Sequence, residues 1–378
     1  MKHSGEIDFL YTNIGRGHPF YLDGLLEQLR DRERSDLLLN VGDVFAQSRG
    51  LSLIGWKAAR WLYHNGSSGP VGRRLYGRLR RRSNHNGSSL SFTILGRDLR
   101  KFRAGVFGTL VVAHPILVGV FRGRPGLVYQ HGELVASDEA LMTGAGTVLV
   151  PTDKVARRFV DAGYESAQVV VTGLCIENAL VARAEYDYRN RQTRLSKDAP
   201  LTGLFLSSGA EPPAHVVKIV TGLNSVVKGG GRADVLVRRG GRLDRALAST
   251  ELPDSVRMHF FTERREEAKL SAKLVPKADY LVAPSHERTN WAVGLGLPMF
   301  ALTPTIGSFA PLNLVLIENR GVGEAIRDLA AAADFGSRLT ELHRTGQLIR
   351  MSERGWGHYK IDGFARGADF LITITASD

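Results

Sequence analysis

The first residues with chemical potential lie near the start of the chain, where Asn13, Ile14, Gly15, Arg16, Gly17 and His18 follow a short apolar run, Ile7 to Thr12. Gly15 and Gly17 let the backbone approach a bound group closely, and a helix starting there offers unpaired N–H groups to an oxyanion or phosphate. His18 then stands at the mouth of a cleft. With an ordinary pKa of about 6.5, its imidazole is suited to take a proton from an acceptor hydroxyl. The same residues also fit a tight turn whose histidine caps a helix, since short glycine patterns are weak signals. Two later strands close on histidine: His114 before Pro115, and His131 before Gly132 and Glu133. Histidines 18, 114 and 131 are too scattered in sequence to argue metal-ligand spacing, and no structural metal is expected.

These groups need elements to position them. From Phe20 onward Leu22, Leu25, Leu26 and Leu29 recur at helical spacing and predict a helix packed on a sheet. Strands are predicted at Leu37 to Val41, Val106 to Ala113, Leu127 to Gln130, Thr147 to Val150 and Val169 to Thr172. Each ends in polar residues or glycine, as in a doubly wound domain that gathers its functional groups at the strand ends. The stretch from Ala184 to Pro200 turns charged and polar and marks a domain boundary. Beyond it, strands at Leu204 to Leu206, Asp234 to Val237, Met258 to Phe261, Tyr280 to Ala283 and Met299 to Leu302 predict a second Rossmann-like domain. The fold class is therefore α/β, with domains at 1–185 and 200–350 and terminal helices over 351–378.

Composition limits the setting. With 378 residues, 43% hydrophobic and 23% charged, the chain is globular and long enough for two cores. The single cysteine, Cys175, lies between Leu174 and Ile176, which predicts a buried inert thiol and a reducing compartment. No signal peptide and no run of about 18 apolar residues is present, so a cytoplasmic location is expected. The formal charge of +12 is concentrated: from Trp56 to Arg103 there are twelve Lys or Arg, among them Arg73 and Arg74, against Asp98 alone. Leu51, Ile54, Trp56 and Trp61 lie before or among the first of these cations, and an apolar, aromatic face beside positive charge suits a helix lying on anionic lipid. Nucleic acid attracts such charge as well, but no nucleic-acid module accompanies it, so that partner is not expected.

The loop Asn13 to His18, His114 with Pro115, the segment Val171, Thr172, Gly173 and the stretch Ala278 to Pro298 together resemble glycosyltransferases of the GT-B fold. The nearest resemblance is to monogalactosyldiacylglycerol synthases and the lipid II-forming N-acetylglucosaminyltransferase. The region from Trp56 to Arg80 resembles the acceptor-side segment of the galactolipid enzymes. This resemblance implies two Rossmann-like domains with an interdomain cleft, no cofactor, and a nucleotide-sugar co-substrate, UDP-linked by expectation. It makes His18 the base, with His131 or Glu133, which stand where the galactolipid enzymes carry an aspartate, as its assistants. It places Ser207, Ser208 and Gly209 near the diphosphate with Arg238, and Phe261 and Thr262 near the base. Ser285, His286, Glu287, Arg288 and Asn313 complete the donor site.

The pattern also departs from that family. Its ribose-gripping glutamate is replaced here by Trp291, with Glu287 four residues earlier, and Phe309, Ala310, Pro311 and Leu312 precede Asn313. The expected activity is transfer of a sugar from a nucleotide-diphosphate donor to a hydroxyl of a lipid or amphiphilic acceptor, by a hexosyltransferase resting on the inner membrane face. The alternatives are a non-catalytic scaffold or nucleotide-sugar sensor, and a sugar-nucleotide epimerase, since one fold hosts several chemistries.

Overall fold

The computed structural model describes residues 5–14, 17–33, 36–66, 89–104 and 108–376; Gly15, Arg73 and Arg74 fall outside these. The chain divides into two compact units: Met1–Asn178 together with Asp362–Asp378, and Ala179–Ile361. Each unit carries one six-stranded parallel sheet.

In the first unit the strands are β1 (Gly5–Tyr11), β2 (Leu37–Asp43), β3 (Thr109–Val112), β4 (Leu127–Gln130), β5 (Thr147–Val150) and β6 (Val169–Val171). Their order is β2-β1-β3-β4-β5-β6, with Ile7 opposite Thr109 and Leu110 opposite Leu127. Successive side chains point to opposite faces, so Leu110, Val112 and Tyr129 join one core with Leu117, Phe121 and Phe159, while Val111, Val128 and Leu149 join another with Leu22 and Leu25. Covering both faces is what lets these strands read as unbroken apolar runs. The helix Gly17–Asp31 buries Tyr21, Leu22, Leu25, Leu26 and Leu29, and His18 lies inside its first turn.

The last helix, Gly363–Ala376, belongs to the first unit and not to a separate tail. It packs on Gly17–Asp31 so closely that a Cβ at Gly24 would lie 2.3 Å from the Phe364 ring. The chain re-enters this unit at Asp362, which bridges Cys175 next to the point of exit.

In the second unit the strands are β7 (Thr202–Leu206), β8 (Arg232–Arg238), β9 (Val256–Phe261), β10 (Tyr280–Ala283), β11 (Met299–Leu302) and β12 (Gly323–Ile326). The order is β12-β11-β10-β7-β8-β9, all pairs parallel. β12 was not expected: Gly323, Glu324 and Ala325 are poor strand formers, and pairing with β11 at the sheet edge overrides that preference.

The charged stretch from Ala184 to Pro200 is no linker, because Ala184–Leu195 is a helix of the second unit. Its Arg191 is 1% exposed, and the guanidinium donates to the carbonyls of Ala278, Leu295, Gly296 and Val275. A second buried cation, Lys218 in the helix Pro213–Lys228, donates to the carbonyls of Thr303, Ile326 and Arg327 and to the Thr303 hydroxyl. Buried charge survives only where such partners are complete.

Candidate functional site

Each sheet reverses its direction of growth once, and ligands of open α/β sheets bind outside the strand ends at that point. In the first unit the reversal falls between β1 and β3. The helix after β1 delivers His18 there, and its Nδ1 lies 2.6 Å from the carbonyl of Ala113, just past β3. A carbonyl only accepts, so Nδ1 carries the hydrogen and the neutral ring holds its lone pair on Nε2, the arrangement a base requires. The next residue, His114, brings its ring centroid to 4.4 Å from that of His18. Sequence spacing gave no hint of this pairing, because two parallel strands bring residues 18 and 114 together.

His131 and Glu133 follow β4 and are both buried. His131 is a correction to the expected assisting role. Its Nε2 donates to the Val135 carbonyl at 3.1 Å, its Nδ1 lies 3.3 Å from the Tyr129 hydroxyl, and burial pushes its pKa down to about 3. A ring so fixed and so weakly basic is a neutral part of the core. Cys175 is likewise buried, with its thiol pushed up by burial and accepting from Gln130 Nε2.

In the second unit the reversal falls between β7 and β10. Ser207 and Ser208 follow β7, and the side-chain oxygens of both are buried with no hydrogen-bond partner among the described residues. The helix Pro213–Lys228 begins next, and within its first turn His215 is fully buried. His215 Nε2 lies 2.9 Å from the Pro304 carbonyl, so its lone pair is on Nδ1, which has no hydrogen-bond partner among the described residues. Burial lowers its pKa to about 4, so the ring is neutral near pH 7. Sequence reading missed His215, since nothing in the pattern set it apart from an ordinary helical residue. The helix start itself is a poorer anion site than expected. Pro213 has no N–H, and those of His215 and Val216 bond the Pro212 carbonyl.

The remaining expected donor residues divide into exposed groups and internal scaffolding. Gly209 and Thr262 are exposed, as is much of the Arg238 side chain, 3.9 Å from the buried Glu211 carboxylate. Thr262 donates its N–H to Glu266 at the end of β9, beside Phe261. Ser285 instead donates its hydroxyl to the Ala310 carbonyl, and Asn313 donates to the Ser285 carbonyl, so both shape the loop after β10 from within. Arg288 is a further correction. It is 2% exposed, 3.2 Å from Glu267 and 4.3 Å above the ring of Trp291, with Glu287 buried beside it at 3.9 Å. Trp291 is therefore core, and Arg288 and Glu287 face inward. Of the four expected residues in this loop, His286 alone is half-exposed.

The expected membrane face also changes. Trp56 is fully buried, its indole N–H donating to the Leu95 carbonyl, which removes it from any lipid surface. Leu51, Ile54 and Trp61 remain more than 60% exposed on the helix Gly50–Gly66. The run's single acid, Asp98, accepts from the Arg49 N–H at the start of that helix. Among the described residues no helix is long and apolar enough to cross a membrane, and no group of three His, Cys, Asp or Glu gathers as metal ligands would.

No protein-family model and no curated protein sequence matches the chain. Solved structures do match. The UDP-GlcNAc 2-epimerase of Neisseria meningitidis, bound to UDP-GlcNAc, aligns at TM-score 0.61 and 11% identity over 99% of this chain and 100% of its own. The calicheamicin glycosyltransferase aligns at 0.60 and 14% over 98% of both chains. MurG of Acinetobacter baumannii aligns at 0.57 and 12% over 98% of this chain and 99% of its own. The chain is thus similar in fold to GT-B glycosyltransferases and to these epimerases, with two Rossmann-like domains.

Proposed function

We propose, from this GT-B fold and the two strand-end sites, that the chain transfers a sugar from a nucleoside-diphosphate donor, UDP-linked, to a hydroxyl of an amphiphilic acceptor. The observation that carries this reading is the set of buried polar atoms at the reversal of the second sheet. Ser207 Oγ and Ser208 Oγ can donate to phosphate oxygens, and the neutral His215 Nδ1 requires a donor. A ligand that satisfies both must carry acceptors and hydroxyls together, as a sugar nucleotide does. A buried polar group without a partner costs about 1–3 kcal/mol, so a matching ligand is favoured. His18 is the base on the acceptor side, its Nε2 lone pair fixed by the Ala113 carbonyl. The exposed Leu51, Ile54 and Trp61, with the cations that follow in sequence, favour an acceptor presented at an anionic lipid surface.

The likeness to sugar-nucleotide epimerases keeps a second reading in view, isomerisation of the donor itself. Nucleotide-induced stabilisation tests the shared premise. A UDP-sugar at 100 times its Kd is expected to stabilise the second unit by about 2.7 kcal/mol, and Ser207→Ala with Ser208→Ala to weaken it about tenfold. No stabilisation by any nucleotide or sugar nucleotide at millimolar concentration sinks the proposal. Incubation in D2O without acceptor then separates the two reactions, since only an epimerase incorporates deuterium into the sugar.

A further inference from the structure

Next to the two buried serines of the second unit, one residue holds a backbone that its type disfavours. Glu211 has a φ of 42°, in the left-handed region that few residues other than glycine enter. It also precedes Pro212, and a residue before proline is pushed toward extended backbone. Its side chain is only 3% exposed, and the carboxylate reaches out of its own segment. It accepts from the N–H of Arg242 and, at 3.4 Å, from that of Leu243, the first residues of the helix Arg242–Ala248 behind β8. The Glu211 carbonyl accepts from Arg242 Nη1 at 3.2 Å, and the Glu211 N–H donates to the Ser208 carbonyl at 3.0 Å. Glu211 therefore joins the turn after β7 to the turn after β8, with Arg238 Nη2 3.9 Å from the same carboxylate.

The helix Arg242–Ala248 does not need so distant a cap for its own sake. Its N-cap is Gly241, extended at φ −73° and ψ 175°, where a serine would cap the helix from within the turn. Gly241 offers no side chain, and the Glu211 carboxylate fills the space that a Cβ there would take. What this carboxylate adds over a local cap is the tie between two strand-end turns. Backbone strain kept at a strand end, where glycine would relieve it, belongs with ligand-binding loops. We infer that Glu211 is a positioning residue of the donor site: it fixes the turn that carries the buried hydroxyls of Ser207 and Ser208 against the turn that carries Arg238. The inference rests on the nucleotide-donor reading of those hydroxyls. The carboxylate itself is committed to the backbone of Arg242 and Leu243 and is not a ligand group.

The test moves the cap and removes the tie. In the full chain, Glu211→Gly with Gly241→Ser relieves the left-handed backbone and gives Arg242–Ala248 a local cap. The urea midpoint of the second unit is expected to hold, while UDP, the probe, binds about tenfold more weakly by calorimetry, the worth of one hydrogen bond. Glu211→Gln, which keeps an acceptor for both N–H groups, is expected to retain most of the affinity. The same pair of changes made on top of Ser207→Ala and Ser208→Ala is expected to cost no further affinity, since Glu211 acts through those hydroxyls. That cycle decides the question even where the midpoint falls. Unchanged UDP affinity in the tie-less variant, or an undiminished loss when the serines are already gone, overturns the inference and leaves the donor reading standing. A wild-type chain that binds neither UDP nor any sugar nucleotide removes the donor reading, and this inference with it.

Discussion

Lowering the pH from 7.5 to 5 is expected to weaken each unit through one buried histidine. His131 in the first unit has its pKa pushed down to about 3 and His215 in the second to about 4, in both cases mainly by burial. In the unfolded chain each titrates near 6.5. Between the two values the unfolded state binds a proton that the folded state does not, so stability rises with pH across that window. The contribution is complete above about pH 6.5 and falls as the pH drops toward the folded value. The slope is about 1.4 kcal/mol per pH unit for each histidine, which gives about 2 kcal/mol at pH 5. It reaches about 3 kcal/mol at pH 4 for His215 and about 4 kcal/mol at pH 3 for His131. Urea unfolding at a series of pH values measures this, using single-tryptophan variants. Trp56 is fully buried in the first unit and Trp291 is 1% exposed in the second, so each reports its own unit. His131→Gln keeps a donor for the Val135 carbonyl but cannot titrate, and is expected to flatten the slope between pH 6.5 and 5 in the Trp56 signal alone. A wild-type transition that does not move over that range, or an unchanged slope in the variant, refutes the burial argument.

Three further outcomes are expected. Lys218→Met removes the donor shared by three carbonyls and the Thr303 hydroxyl, and is expected to lower the unfolding free energy of the second unit by about 3 kcal/mol; the Trp56 transition is expected to stay where it was. Gly24→Ala sets a Cβ against the Phe364 ring and is expected to cost the first unit about 1–3 kcal/mol, partly restored by Phe364→Leu in the same chain. His18→Gln is expected to lower transferase turnover by about 10²–10⁴-fold with nucleotide binding to the second unit unchanged; if binding falls and turnover per bound donor does not, His18 is not the base.

Much of the fold was legible because parallel strands buried on both faces announce themselves. Leu127–Gln130, Thr147–Val150, Tyr280–Ala283 and Met299–Leu302 begin and end where the apolar runs do. Reading failed where a nonlocal partner decided the outcome. β12 exists by pairing with β11, and Ala184–Leu195 is a helix whose arginine has backbone oxygens to meet. The last helix belongs with the first unit through the fit of Phe364 against Gly24. The site divides in the same way. Strand-end position marked His18, Ser207 and Ser208, but burial turned Trp56, Arg288 and His131 inward. His215 gained meaning only from the bond that fixes its ring.

The return of Gly363–Ala376 to the first unit has a consequence for how the protein is made. On the ribosome the first unit lacks that helix until Gly363–Ala376 has been made, so the side of Gly17–Asp31 that meets Phe364 stays uncovered while Ala179–Ile361 is translated. At roughly 5–20 residues per second that interval is on the order of ten to forty seconds. The later-encoded half thus completes its core first, and the nascent amino-terminal half is the species a chaperone would meet.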